Sequence, residues 1–393
     1  MKFFTIIAAA ASPVCAIKTS SEAVWTTQDH VSTPSLKEAA AGLGLYVGSA
    51  LNQKYATDAT YESQSISQFD DMTPENACKM KQIAKSYTEL DFSGCIAAVE
   101  WAKANSMQVR AHNLIWSAPG HSPSFVESET DATKLEAFME FYIKSAMAAI
   151  GDYPFVWDVD NEAVSNGAST TSAILKTSPW SIIDDHVCKA FQYAKKYKYA
   201  NQKLFYNDYK FEAESGVWQA KSDRVYTMVK DLVDRDCGID GVGFQTHIDI
   251  TYDSFDGIKS NVARYAAIGM EVHFTEIDVR CSQFSSVPCT LASPWPAANL
   301  TQQAKIYRKL LSICLSAPNC LSYETWGFTD EYSFVASPQD PFPLNSSFEE
   351  KPAYQAIYAT LKKWNRTKRA AMVKKWAKKW KITGSVQADG YTL

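Results

Sequence analysis

The feature that most constrains this chain is an alternation. Eight short apolar runs of strand type recur along it: "LGLYVGSA" (43–50), "SISQFDDM" (65–72), "MQVRAHNLIW" (107–116), "PFVWDVDNE" (154–162), "KLFYND" (203–208), "GVGFQTHI" (241–248), "MEVHFTEIDV" (270–279) and "LSYETWGF" (321–328). Between them lie segments with apolar residues at helical spacing, such as 133–150 and 184–198. Strands and helices in this number and order predict an α/β fold of the (β/α)8 TIM-barrel type, a single catalytic domain. A doubly wound open sheet would alternate in the same way. No glycine-rich phosphate loop follows the first strand, which removes the commonest reason for that alternative.

Polar residues gather near the C-terminal ends of these runs: Asp70-Asp71, His112, Asn161-Glu162, Asn207-Asp208, Gln245 with His247, Glu276 with Asp278, and Trp326. Barrel enzymes assemble their sites at that face from the ends of several strands. One polar strand end reads as a cap or a turn, whereas so many in register predict a site. In "FTEIDV" Glu276 and Asp278 are two apart, so both project from one face of the strand, and Gln245 and His247 are expected to share a face by the same rule. A histidine between two carboxylates keeps one ionised and oriented while the other holds the imidazole in place.

Two strand-end glutamates, Glu162 and Glu276, each with polar neighbours, suit glycoside hydrolysis. That chemistry needs one carboxyl group to protonate the leaving oxygen and a second to attack the anomeric carbon or activate water. Metal-assisted hydrolysis is the competing chemistry. The chain has only six histidines and no ligand-spaced pair among them, so neither a metal nor another cofactor is expected.

Seven motifs appear in order: "TPENACKM" (73–80), "RAHNLIW" (110–116), "WDVDNEA" (157–163), "NDY" (207–209), "GVGFQTHI" (241–248), "TEIDV" (275–279) and "WGFTDEYSF" (326–334). With them the chain resembles the family 10 glycoside hydrolases, the (β/α)8 endo-β-1,4-xylanases, over nearly the whole barrel. The resemblance implies that Glu162 is the acid/base and Glu276 the nucleophile of a retaining mechanism, with carboxyl groups about 5–5.5 Å apart. It implies that Asn161 meets the 2-hydroxyl of the sugar at the cleavage point, and that His247, backed by Asp278, hydrogen-bonds the nucleophile. Glu75, Asn76 and Lys79 would bind sugars on the non-reducing side. His112, Trp116, Gln245 and Trp326 would line the cleavage subsite, and Tyr209 would lie near the leaving group. Xylan and xylo-oligosaccharides are the implied partners.

The sequence departs from the family pattern in places. Ser117 stands where the family usually has His, the stretch after it lacks an expected glutamine, and Met80 replaces a common Trp. Phe334 takes the place of a second tryptophan over the cleavage subsite. A glycan-binding protein on an inactive scaffold would be expected to lose Glu162 or Glu276, and both are present. Another β-1,4-glycan in place of xylan stays open as substrate.

The first residues, "MKFFTIIAAAASPVCA", have a basic start, a short apolar run and a small-residue exit, so residues 1–16 read as a signal peptide and the protein as secreted and extracellular. Removing them takes Cys15 away and leaves eight cysteines, an even number that suits an oxidising compartment. Cys281 with Cys289 and Cys314 with Cys320 are near enough to pair, while Cys78, Cys95, Cys188 and Cys237 leave their pairing open. Asn299, Asn345 and Asn365 head glycosylation triplets for a eukaryotic host. The catalytic domain is expected over 36–364, as a monomer, followed by a basic extension over 365–393. A net charge of −4 argues against nucleic acid as a partner of the whole chain. The extension is different in kind, with ten Lys or Arg from Lys362 to Lys381 and an apolar stripe of Met372, Val373, Trp376, Ala377 and Trp380. It reads either as a terminal helix packed on the barrel or as an anchor to an anionic wall polymer or a membrane surface.

Overall fold

The computed structural model describes residues 35–167, 174–282, 289–335 and 337–382. The signal peptide expected over 1–16 and the last residues of the tail lie outside the described residues. Among the described residues there are ten strands: β1 (Tyr46–Leu51), β2 (Asp71–Pro74), β3 (Gln108–Ala111), β4 (Ile115–Trp116), β5 (Val156–Asn161), β6 (Lys203–Asp208), β7 (Gly241–Phe244), β8 (His247–Asp249), β9 (Glu271–Arg280) and β10 (Cys320–Thr325). Eight of them run in the order β10-β1-β2-β3-β5-β6-β7-β9, all parallel, and β9 pairs with β10 to close the ring. This is the (β/α)8 barrel. The short strands β4 and β8 follow β3 and β7 and pair alongside the C-terminal ends of β5 and β9, where the site is built.

The helices follow from simple local rules. The segment expected over 133–150 is the helix Ala132–Ile150, started by Asp131, whose carboxylate accepts from the Thr133 and Lys134 amides at 2.9 and 3.1 Å. Leu135, Phe138, Met139, Tyr142, Ile143, Ala146, Met147 and Ile150 are its buried residues, the stripe that packs on the barrel. Gly151 ends it with a φ of 80°, a conformation glycine adopts without steric cost.

One expected strand is corrected. Residues 65–68 belong to the helix Ala59–Gln68, capped by Asp58 and burying Tyr61 and Ser65 one turn apart. The strand begins only at Asp71, so Asp70 and Asp71 stand at its N-terminal end and not at the site. Asp71 instead faces the barrel interior, near Ser322 and Glu324. Burial and the neighbouring carboxylates push its pKa far above the usual carboxylate range, and burial raises Glu324 as well. Gly48 leaves room for this pair, since a Cβ there would lie 2.8 Å from the Glu324 side chain.

Four disulfides tie loops to the barrel: Cys281–Cys289 and Cys314–Cys320 as the spacing suggests, and Cys78–Cys95 and Cys188–Cys237 from the cysteines left open. They fit an oxidising compartment. The basic extension forms the helix Arg366–Trp380 and packs on the barrel. Its Arg369 is buried and donates to six main-chain carbonyls, those of Leu43, Gly44, Cys314, Leu315, Ala317 and Cys320. Burial with no acidic partner pulls the guanidinium pKa down, but six carbonyl oxygens are an environment in which it stays a cation.

Candidate active site

The site lies at the C-terminal ends of the strands. Glu162 directly follows β5 with a φ of 60°, and this left-handed turn takes the chain out of the sheet. Glu276 lies within β9, with Asp278 and Arg280 following at every second residue on the same face. Asn207, at the end of β6, donates to Glu276 Oε1 at 2.7 Å, and its amide sits 3.0 Å from that of Asn161. Gln245 donates to Glu162 Oε1 at 3.2 Å and stands 3.3 Å from Asn161. A continuous run of three amides therefore links the two glutamates. Gly243 makes this possible: a Cβ there would meet Asn207 Oδ1 at 2.2 Å.

His247 joins the two carboxylates of β9, with Nδ1 2.5 Å from Asp278 and Nε2 3.1 Å from Glu276. Its placement corrects one expectation. Gln245 and His247 do not alternate along one strand, because β7 ends at Phe244 and Thr246 takes a φ of 61° before β8 begins. The turn is held by Glu212, which accepts from the Thr246 amide at 2.7 Å. Arg280 donates to both oxygens of Asp278, at 2.6 and 2.9 Å. Burial alone would depress the His247 pKa, but the Asp278 charge and the hydrogen bonds to Asp278 and Glu276 outweigh it and raise the value to about 10. Asp278 is buried, which pushes its carboxyl up, yet His247 and Arg280 hold it below the usual range. At neutral pH His247 is an imidazolium, held between Asp278 and Glu276.

The remaining residues ring the same cleft. His112 is buried 2.9 Å from Asp158, which Arg110 also holds, and its ring edge meets Trp326 with centroids 5.3 Å apart. Trp116 stands near His112 on the other side, at 6.1 Å. Lys79 donates to Asn76 at 3.0 Å, and Asn76 to Glu75 at 3.2 Å. The Lys79 ammonium lies 5.1 Å from the Trp116 ring and 5.5 Å from Trp326. Burial lowers its pKa, and Glu276, Glu75 and Glu162 oppose that shift. The Cys78–Cys95 bond fixes this loop beside it. Phe334 is 46% exposed, with its ring 5.8 Å from that of His247 and 4.9 Å from the Arg280 guanidinium. Tyr209 accepts from Asn166 at 2.7 Å and lies under Lys221 at 4.0 Å. Apart from Asp70 and Asp71, the polar strand ends expected at the site lie at the C-terminal end of the barrel.

A family model for Glycosyl hydrolase family 10 matches residues 35–360. The chain belongs to this family. Among similar proteins, endo-1,4-beta-xylanase B of Thermotoga neapolitana is 31% identical over 333 residues, covering 82% of this chain and 90% of that protein. Endo-1,4-beta-xylanase B of Neocallimastix patriciarum is 30% identical over 320 residues, and there the match covers 81% of this chain but 34% of the longer protein. The crystal structure of xylanase 10B from Thermotoga petrophila RKU-1 in complex with xylobiose superposes with a TM-score of 0.76 at 30% identity, covering 85% of this chain and 99% of that one.

Seen as a family 10 member, the chain adds residues that sequence reasoning missed. Lys176 lies 3.7 Å from Glu162 and 5.0 Å from the Tyr209 ring, in a stretch where no motif signals it. Lys221 donates to Asp208 at 2.6 Å and to Asn166 at 2.8 Å. Asn207 was visible only as a polar strand end. Where the family's His is replaced by Ser117, the serine is buried within 3.3 Å of His186. Trp116 is braced instead by His121, which stacks on it at 3.9 Å with 14° between the rings.

Proposed function

We propose that this family 10 hydrolase is a secreted endo-1,4-β-xylanase that cuts internal β-1,4-xylosidic bonds with retention of configuration. The observation that carries the reading is the unequal setting of the two glutamates. Glu276 is held by a protonated histidine and an amide donor, which fix its orientation as a nucleophile. Glu162 sits across the amide run beside Gln245 and Lys176, reachable from the cleft. In the first step Glu276 attacks the anomeric carbon while Glu162 gives its proton to the departing sugar oxygen. In the second, Glu162 takes a proton from water, whose oxygen displaces Glu276 and restores the starting configuration.

In this reading Asn161 meets the 2-hydroxyl of the sugar being cut, and Glu75, Asn76 and Lys79 hold the sugars before it. His112, Trp116, Gln245, Trp326 and Phe334 enclose the cleavage subsite, and Tyr209 faces the leaving part. Xylan as substrate is supported by the xylanase relatives and by the xylobiose complex of the Thermotoga petrophila enzyme. Secretion is supported by the four disulfides and by the leader-like residues 1–16, ahead of a catalytic domain over 36–364 and an extension over 365–393.

Two variants test the assignment. Glu276→Ala should abolish hydrolysis of all substrates, by on the order of 10⁴-fold or more, and azide should restore turnover with inverted glycosyl azide as product. Glu162→Ala should keep the first step on aryl glycosides with activated leaving groups, which need no proton, and fail on xylan. Near-normal turnover by Glu276→Ala, or equal losses on both substrate types for Glu162→Ala, sinks the reading. Product analysis on xylan against soluble cellulose tests the substrate separately.

A further inference from the structure

The helix Arg366–Trp380 has two unlike faces. Its inner face buries Arg369, Val373, Trp376 and Ala377, and the Trp376 indole donates to the Ala266 carbonyl at 3.1 Å. Trp380 lies so close to Gly269 that a Cβ there would meet its ring at 2.9 Å. The segments this face touches come just before strands: Leu43 and Gly44 before β1, Ala266 and Gly269 before β9, and Leu315 and Ala317 before β10. The helix is therefore fixed on the N-terminal end of the barrel, and the cleft opens at the other.

The outer face is lysine. Lys368, Lys374, Lys375, Lys378 and Lys379 on the helix, with Lys362, Lys363 and Lys381 flanking it, are all exposed, and no ion pair to any of them exists among the described residues. No Asp or Glu occurs in sequence between Glu350 and Asp389. Removing the ten positive charges of Lys362–Lys381 from the net −4 of the chain leaves −14 for the rest, so the charge is segregated. Lys374 with Lys378 and Lys375 with Lys379 are one turn apart and repel each other. Nothing within the described molecule neutralises this face.

We propose that the lysine face is a docking surface for a carboxylated polysaccharide of the polyuronate type, holding the protein by the end opposite its cleft. The chemistry favours this occupant over the others that a basic helix can take. Binding to a lipid surface draws on apolar side chains inserted below the headgroups, and here the tryptophans and Val373 point into the barrel; no large apolar side chain of the helix is exposed. A grip on nucleic acid is typically strengthened by arginine and by stacking aromatic rings, whereas both arginines of this helix donate to main-chain carbonyls and its outer face offers only ammonium groups, which suit a polymer with one carboxylate per sugar ring. The proposal does not depend on which glycan the cleft cuts.

Deleting the helix would expose the barrel end and remove Arg369, so the test is charge neutralisation in the full chain. The variant Lys374→Gln/Lys375→Gln/Lys378→Gln/Lys379→Gln is compared with Lys103→Gln/Lys144→Gln/Lys259→Gln/Lys309→Gln, which loses the same charge at exposed sites elsewhere. Affinity is measured for immobilised polygalacturonate, with hydrolysis of a small soluble substrate as a check. Wild type and the control set should bind and be released by salt, since exposed charge attractions weaken as ionic strength rises. The helix variant should bind at least tenfold more weakly with unchanged hydrolysis. Should it melt early, Lys378→Gln/Lys379→Gln alone should give an intermediate loss. Equal binding by wild type and the helix variant overturns the proposal. So does binding to phosphatidylserine vesicles or duplex DNA as tight as to polygalacturonate.

Discussion

The two ends of the barrel use buried charge in opposite ways. At the N-terminal end the Arg369 cation satisfies six carbonyls and points at nothing outside the protein. At the C-terminal end His247, Asp278, Arg280 and Glu276 form a chain whose last carboxylate faces an open cleft. One arrangement closes main-chain groups that would otherwise be buried without partners. The other spends left-handed backbone at Glu162 and Thr246, and close glycine packing at Gly243, on aiming side chains. Buried charge at a barrel end is thus structural or chemical according to where its last hydrogen bond goes.

The largest effect that sharpens this contrast is expected at Arg369. Arg369→Met removes the donor to all six carbonyls and should cost about 3–5 kcal/mol of stability. The loss should be nearly the same from pH 5 to pH 8, a window that lies below the value of about 9 to which burial lowers the guanidinium. Turnover by the folded fraction should be unchanged. Chemical denaturation at several pH values, with rates at a permissive temperature, measures both; a large fall in kcat would break the contrast.

At the other end, His247→Ala should lower kcat roughly 100-fold, as losses of groups that orient a reacting residue do. Its stability effect should depend on pH. The folded state holds the His247 proton up to about 10, above the ordinary value near 6.5, so the stabilisation is complete below that ordinary value. It is lost as pH rises toward about 10. The melting temperatures of wild type and variant should therefore differ most near pH 6 and converge toward pH 10. A difference that is constant with pH would make His247 as purely structural as Arg369.

The smallest effect concerns Phe334, at the rim of the site. On the proposed assignment Phe334→Trp enlarges the ring over the cleavage subsite and should raise the ratio of xylobioside to cellobioside hydrolysis, xylose and glucose differing by a hydroxymethyl group. One such group is typically worth about 1–3 kcal/mol of discrimination. The ratio of kcat/KM on the two aryl glycosides reads it directly, and an unchanged ratio removes Phe334 from specificity.

Much of this was legible in the chain because strand ends carry their chemistry in short motifs. Glu162 and Glu276 follow apolar runs with polar neighbours at fixed offsets, and the structure puts those neighbours on them. The helix Ala59–Gln68 was misread because Ile66 and Phe69 in a short segment imitate the end of a buried strand, and the Asp58 cap lies outside that window. Gln245 and His247 imitate strand alternation while a left-handed Thr246 does the work between them. Lys176 was invisible for another reason. It reaches Glu162 from a connecting segment, where spacing along the chain says nothing about distance in space.

The Cys188–Cys237 bond has a consequence for resistance to proteolysis. It closes a ring of chain that contains all of β6 and the helix Gln219–Asp234. Inside that ring sits Val217, 91% exposed in the turn that precedes the helix and, among the described residues, the most exposed of the large apolar ones. A protease that cuts there opens the ring without dividing the molecule, because both new ends remain attached to one covalent body. Asp208 and Lys221, on opposite sides of such a cut, would also stay joined by their own ion pair at 2.6 Å. The wall of the barrel beside Tyr209 is in this sense built to tolerate a nick.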